Sequence, residues 1–303
     1  MNIGKTLFFA GAMASFFILN SCGDSSENAQ VQKEGGKKID KELLDPNRSF
    51  NTTFDGKLFS VPSPVQTALL IKSLSIPFNE TLLNEKENIN NYSTTTSQAI
   101  NLGIYGADLG YITLYEQNAK SLSYLSIVEE ISNKLGIAGA FDKTFIERFE
   151  RNSNVEDSML VILTDGFRKA DNFLKENDQK NTSALILTGG WLESMYFATQ
   201  LYKQSKDDKI LARIGEQKQS LETIIELLEK CNSKGQNDEY ISLFNDIKQS
   251  FKGIKTTYEY VAPETNKDLK LTTLKSKMNI EISNELADEI IEKIANTRAK
   301  IVS

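Results

Sequence analysis

Apolar side chains recur every three or four residues through most of this chain, and that spacing constrains its fold more than any other feature. An α-helix turns once every 3.6 residues, so this spacing gathers apolar side chains along one helical face. The longest series consists of Tyr240, Phe244, Ile247, Phe251, Ile254 and Tyr258. A helix with such a face must bury it against a partner, so the sequence predicts an all-α protein.

Four further stretches show the same spacing and predict further helices. They span residues 124–135, 159–174, 214–228 and 286–301. Asn154 and Ser283 are predicted N-caps, because their side chains can accept hydrogen bonds from the first free N–H groups of a helix. Gly136 is the residue type that a helix C-terminus favours. With few candidate strands, we expect eight to ten helices, most of them antiparallel neighbours joined by short loops.

Two predicted helices contain glycines that a helix interior normally avoids. They are residues 95–117, with Gly103, Gly106 and Gly110, and residues 182–204, with Gly189 and Gly190. Each interior glycine costs about 1 kcal/mol relative to alanine. Close approach of two backbones is a compensating reason, so these helices are predicted to cross at the centre of the domain. The two segments also align at an offset of 87 residues, which leaves a duplicated helical hairpin as an open alternative.

The first 21 residues follow the pattern of a secretory signal peptide. Lys5 provides a basic start, and an apolar run of 13 residues extends from Leu7 to Leu19. That run is too short to cross a bilayer, which requires about 20 apolar residues.

The sequence Leu19-Asn20-Ser21-Cys22 at the end of this run resembles the lipobox of bacterial lipoproteins. Asn20 stands where the box usually has a small residue, as in the looser boxes of the Bacteroidota. The resemblance implies cleavage by signal peptidase II before Cys22, acylation of Cys22 with chains such as palmitate, and anchoring in the cell envelope, at the outer membrane. Which side of that membrane the protein faces stays open. The alternative is an ordinary signal peptide followed by a chance cysteine.

Polar composition separates this anchor from the rest of the chain. Residues 22–51 are rich in Asp, Ser, Glu, Gln, Lys and Gly, a composition that cannot bury enough apolar surface to fold. The sequence therefore predicts a signal peptide at 1–21, a lipidated cysteine and flexible tether at 22–51, and one helical domain at 52–303. No Pro/Gly-rich linker divides that last part.

Several classes of chemistry are excluded by what the composition lacks. The chain has no histidine, which removes Ser–His and Cys–His catalysis and histidine-bound zinc. Nucleotide-binding glycine motifs and calcium loops are absent, so we expect neither a cofactor nor a metal. With a net charge of −6 and no basic stripe, nucleic acid is not an expected partner. Cys231 has no partner for a disulfide once Cys22 is lipidated.

One polar constellation remains as a candidate site, on the two glycine-containing helices. It comprises Tyr105, Asp108 and Tyr111 on the first helix and Trp191, Glu193 and Tyr196 on the second. Asp108 follows Tyr105 by three residues, so the two share a face that is otherwise apolar. Either Asp108 is hydrogen-bonded inside the core, or the six side chains line an aromatic cleft for a sugar or a cationic ligand.

The sequence favours a membrane-anchored envelope lipoprotein whose helical domain is a binding or scaffold module without catalytic residues. Its partner would be the membrane, through the lipid, together with an envelope protein or a saccharide. The alternative is an envelope glycan hydrolase, with Asp108 and Glu193 as the two carboxyl groups that flank the scissile bond.

Overall fold

The computed structural model describes residues 49–54, 57–62, 69, 72–141, 143–152, 155–266, 271–273 and 276–303. The predicted signal peptide, Cys22 and nearly all of the predicted tether lie outside these ranges. The last three residues of the predicted tether are described, because the first strand begins at Ser49. The described residues belong to one compact unit, Ile39–Ser303.

Helices dominate the structure, and the all-α prediction is confirmed. The described residues form nine α-helices, within the predicted range of eight to ten. They are α1 Thr95–Leu114, α2 Asn118–Lys134, α3 Lys143–Arg151, α4 Glu156–Glu176, α5 Lys180–Ser205, α6 Asp208–Glu216, α7 Lys218–Lys230, α8 Asp238–Phe251 and α9 Asn284–Val302. Two short 3₁₀ helices, Glu80–Leu82 and Lys86–Asn91, precede α1.

Three small antiparallel strand pairs supplement the helices. Their strands are β1 Ser49–Phe54, β2 Lys57–Pro62, β3 Lys255–Glu259, β4 Glu264–Asn266, β5 Leu271–Thr273 and β6 Lys277–Glu281. β1 pairs with β2, and β2 contacts α5 and α7. β3 pairs with β6, and β4 pairs with β5 further along the same connection between α8 and α9. We call residues 255–281 the β-arm.

The two glycine-containing helices, α1 and α5, form the most extensive helix contact among the described elements, as the sequence predicts. A Cβ atom on Gly103 would lie 2.0 Å from the carbonyl oxygen of Ile186, and one on Gly189 would lie 1.8 Å from that of Ile100. Any larger residue would collide with backbone at both points. In these reciprocal contacts Gly103 corresponds to Gly189 and Ile100 corresponds to Ile186, an offset of 86 residues rather than the 87 of the sequence alignment. Duplication of a helical hairpin stays a prediction.

The helices α1 and α5 run parallel, because their contacts advance in the same direction along both. Gly103 lies against Ile186 and Gly190, and eight residues later the ring of Tyr111 stacks on Phe197 with centroids 4.6 Å apart. Side chains at equal heights on the two helices therefore face each other. This geometry places the two predicted acidic residues side by side.

The predicted helix ends are confirmed at two positions. Gly136 follows α2 with a left-handed φ of 70°, and the side chain of Ser283 accepts a hydrogen bond from the Leu286 N–H at the start of α9. Asn154 lies outside the described residues, and Val155 occupies the N-cap position of α4 without a side-chain cap.

Two predicted helices have different bounds in the structure. The prediction of one helix from Tyr240 to Tyr258 is wrong at its C-terminal end, because α8 stops at Phe251 and Tyr258 lies in strand β3. The β-branched Thr256 and Thr257 favour an extended backbone there. The stretch 214–228 is two helices, α6 and α7, which meet at Gln217. Across the described ranges, no helix combines the length and the apolar character needed to span a membrane.

Candidate functional site

Asp108 and Glu193 meet at the interface of α1 and α5, and both are completely buried. The parallel packing of the two helices brings the carboxyl groups within hydrogen-bonding distance of each other. Two carboxyl groups in such a position cannot both be ionised without a strong repulsion. The pair therefore requires a counter-charge and a proton.

Arg298 on α9 supplies the counter-charge. Its Nε donates to Oε2 of Glu193 at 2.7 Å, and its Nη2 donates to Oε1 at 2.6 Å, a bidentate geometry. The guanidinium also lies 4.2 Å from the ring centroid of Tyr196. Burial alone would lower the pKa of Arg298, but the charge of Glu193 raises it above its usual value. The negative charge of the acid pair is thus held on Glu193.

Asp108 is the member of the pair whose protonated form is favoured. Burial, and then the charge of Glu193, raise the pKa of Asp108 well above its ordinary 3.8. Its Oδ2 accepts a hydrogen bond from the backbone N–H of Asn84 at 3.2 Å, whereas its Oδ1 meets no donor. A protonated Asp108 can donate to Glu193, and a neutral acid needs no further counter-charge.

The segment of residues 76–92, which contains the two short 3₁₀ helices, lies over this pair, and we call it the strap. Five side chains of the helices form hydrogen bonds with its backbone. Four of them donate to backbone carbonyls: Tyr115 to Ile76, Arg298 to Leu82, Tyr124 to Asn84 and Tyr105 to Glu85. The hydroxyl of Tyr111 accepts from the N–H of Asn79. These bonds satisfy backbone groups that two short 3₁₀ helices would otherwise leave unpaired. The strap therefore closes the acid pair off from solvent.

Five of the six predicted site residues belong to this network or to its strap contacts. Tyr105 and Tyr111 bond the strap, Tyr196 lies under Arg298, and Asp108 and Glu193 form the pair itself. Trp191 does not join them. Its Nε1 donates to Oε1 of Gln217 at 3.3 Å, and its ring lies near Phe244 on a different side of α5.

Five of the six residues of the suggested cleft are buried, and Tyr196 is partly buried. Tyr105, Tyr111, Asp108 and Glu193 have no exposed surface, and Trp191 is only 2% exposed. The geometry agrees with the other reading, a hydrogen-bonded carboxyl group in the core. It differs in one detail, since the donor to Asp108 is a backbone N–H of the strap. Whether the six residues contribute to ligand binding stays a prediction.

Sequence reasoning missed Arg298, Asn84 and the strap. Arg298 has a recognisable signal, because it falls between Ile294 and Ile301 at helical spacing, on the apolar face of α9. A charge on a buried helical face requires a buried partner of opposite charge. The strap has no comparable signal, since its sequence lacks both the helical and the strand period.

The β-arm carries most of the exposed apolar surface. Among the described residues, six large apolar side chains are exposed, and four of them, Tyr258, Tyr260, Leu271 and Met278, lie on the arm. Thr256, Tyr258, Met278 and Ile280 share one face of the β3–β6 pair, as the register shows. At the base of the arm Ile280 packs against Gly215 of α6, but further out Tyr258 is 69% exposed. The apolar face thus extends beyond the helices that cover its base.

Comparison with protein-family models, with curated proteins and with solved structures finds no match to this chain. In the part of the chain that the structure describes, no group of three or more Cys, Asp or Glu side chains has the geometry of a metal site. The function of the protein therefore has to be inferred from its geometry and from its N-terminal sequence.

Proposed function

We propose that the protein is a lipid-anchored lipoprotein of the cell envelope, held at the outer membrane through Cys22, and that its helical domain is a non-catalytic binding or scaffold module. The lipobox-like sequence at residues 19–22 supports the anchor. The partner of the module is an envelope protein.

The exposed apolar face of the β-arm is the observation that carries the binding role. Tyr260 is 71% exposed and Leu271 is 55% exposed, and both lie outward of the base that packs on α6. Four of the six exposed large apolar side chains of the described residues lie in this one segment, and such a concentration of apolar surface favours an interaction site. A tyrosine also suits an interface, because it combines a large apolar ring with a hydroxyl that can hydrogen-bond.

The buried acid pair favours this proposal over a glycan hydrolase. Glycoside cleavage requires two carboxyl groups on either side of a bound sugar, with space for the substrate between them. Asp108 and Glu193 contact each other beneath the strap, and Glu193 is bonded to Arg298. The tyrosines that would line a sugar cleft are bonded to the strap instead. A protein partner at the arm is therefore favoured over a saccharide at the acid pair.

Membrane fractionation followed by native electrophoresis of the detergent-solubilised envelope tests both parts of the proposal. The wild-type protein is expected in the membrane fraction, in a complex larger than a dimer of this chain. Cys22→Ala is expected to release the protein from membranes. The double variant Tyr260→Ser/Leu271→Ser is expected to stay in the membrane and to leave the complex, because both side chains are exposed and their loss leaves the core intact. Leu122→Ser, at an exposed apolar residue of α2, is the matched control and should keep the complex.

Two results would contradict the proposal separately. Membrane retention of Cys22→Ala would refute the lipid anchor. An unchanged complex in the Tyr260→Ser/Leu271→Ser variant would refute the arm as the binding surface.

A further inference from the structure

The outer edge of strand β3 has no neighbouring strand among the described elements. In the part of the chain that the structure describes, each sheet consists of two strands, and β6 is the strand that pairs with β3. β6 also contacts α6, whereas β3 packs chiefly on β6, and all five of its residues are exposed. An open edge of this kind presents backbone N–H and C=O groups that another strand can pair with.

The side chains along β3 make this edge complementary to itself. The strand reads Lys255-Thr256-Thr257-Tyr258-Glu259, with opposite charges at equal distances from Thr257. If two copies pair in antiparallel fashion about a two-fold axis at Thr257, Lys255 of each lies opposite Glu259 of the other. On the opposite face, Tyr258 of each lies opposite Thr256 and diagonal to the other Tyr258, within reach of an aromatic ring.

The β-arm also needs additional support of this kind. A two-stranded ribbon is only marginally stable in water unless further strands or a helix cover its apolar face, and α6 covers that face only at the base of the arm. Pairing through β3 would produce a four-stranded sheet in the order β6, β3, β3 and β6, with the apolar residues of both arms on one face. Charged residues at a sheet edge normally prevent pairing with other chains. Here they select a second copy in one register, because any shift along the strand removes the charge complementarity.

We propose that two copies of this chain form a two-fold symmetric dimer by antiparallel pairing of their β3 strands, centred on Thr257. The dimer contact is the backbone edge of β3, whereas the proposed envelope-protein contact is tested at Tyr260 and Leu271, and the dimer does not depend on the lipid anchor. Symmetry of this kind is typical of homodimers, since the same patch serves on both sides.

Charge reversal tests the dimer by sedimentation equilibrium of the full-length protein in detergent over a range of concentrations. Lys255→Glu places two like-charged pairs across the axis and is expected to raise the dissociation constant about tenfold or more. The double variant Lys255→Glu/Glu259→Lys restores opposite charges and is expected to recover the dimer. Glu281→Lys is the matched control. It removes the cross-strand partner of Lys255 within one arm but leaves the β3 edge unchanged, so it should remain dimeric.

A second measurement fixes the register. In a Cys231→Ser background, Thr257→Cys places two cysteines opposite each other on the axis, and a disulfide-linked dimer is expected on oxidation. Asn279→Cys, at the position paired with Thr257 on the inner strand, should stay monomeric on a non-reducing gel. A wild-type protein that sediments as a monomer throughout the range would overturn the proposal. So would dimers that ignore the charge reversal, or equal cross-linking of both cysteine variants.

Discussion

Arg298 determines the chemical state of the two acidic residues that it accompanies. A guanidinium with both oxygens of Glu193 as acceptors keeps one negative charge in the core, and the neighbouring Asp108 then keeps its proton. Removing one member of a buried ion pair typically costs about 3–5 kcal/mol, because the other charge is left unpaired. A neutral acid needs no counter-charge, so replacing Asp108 by Asn should be tolerated better than replacing Glu193 by Gln.

Asp108→Asn is expected to flatten the pH dependence of stability. The pKa of Asp108 is raised above its unfolded value of 3.8, so its stabilising contribution is complete below that value and is lost as pH rises towards the folded pKa. Across that window the variant should gain up to about 1.4 kcal/mol per pH unit relative to the wild type. Its amide can still donate to Glu193 and accept from Asn84. Urea unfolding of both proteins at a series of pH values measures this, and parallel curves would show that Asp108 is ionised in the folded protein.

The sequence was sufficient to select Asp108 and Glu193 but not to identify what surrounds them. Their helices could be recognised from local periodicity and glycine content, and a shared height on two packed helices places the acids together. The interaction with Arg298 spans 105 residues along the chain. No local pattern encodes a contact of that separation, although a charge on the apolar face of α9 indicates that a partner exists.

Among the elements, the crossing of α1 and α5 is the feature most directly encoded in the sequence. Glycine is unfavourable in a helix, so its clustering has to reflect packing, and the structure shows backbone carbonyls at the positions where Cβ atoms would be. The β-arm was not predicted, because Ile254 and Tyr258 continue the helical spacing of α8 although the helix has ended. Spacing alone does not distinguish a fifth turn from an extended strand when Thr256 and Thr257 lie between.

Gly189→Ala is expected to destabilise the protein by about 3 kcal/mol or more, as overpacking against rigid backbone does at its upper range. Helix propensity alone predicts the opposite sign, a gain of about 1 kcal/mol. Gly136→Ala is the control: nothing lies within 4 Å of its added Cβ, and only its left-handed backbone is strained, at about 1–2 kcal/mol. Chemical denaturation of both variants measures the difference. A Gly189→Ala protein as stable as the wild type would refute the close crossing.

Across the molecule, the acid pair connects parts of the chain that are distant in sequence. Arg298 bonds Glu193 on α5 and the carbonyl of Leu82 in the strap, which are 105 and 216 residues away. The strap, the central helices and the C-terminal helix therefore share one buried network. This arrangement accounts for two acids in the core of a domain for which no catalytic role is proposed.

The free energy of unfolding of Glu193→Gln at neutral pH tests this structural role most directly. The substitution is made in an Asp108→Asn background, where the neighbouring acid cannot ionise to replace the lost charge, so Arg298 is left buried and unpaired and a loss of about 3–5 kcal/mol is expected. Adding Arg298→Met in the same background removes the unpaired charge and is expected to regain at least half of that loss. An Asp108→Asn/Glu193→Gln protein within about 0.5 kcal/mol of Asp108→Asn, the range of an ordinary surface substitution, would contradict the account.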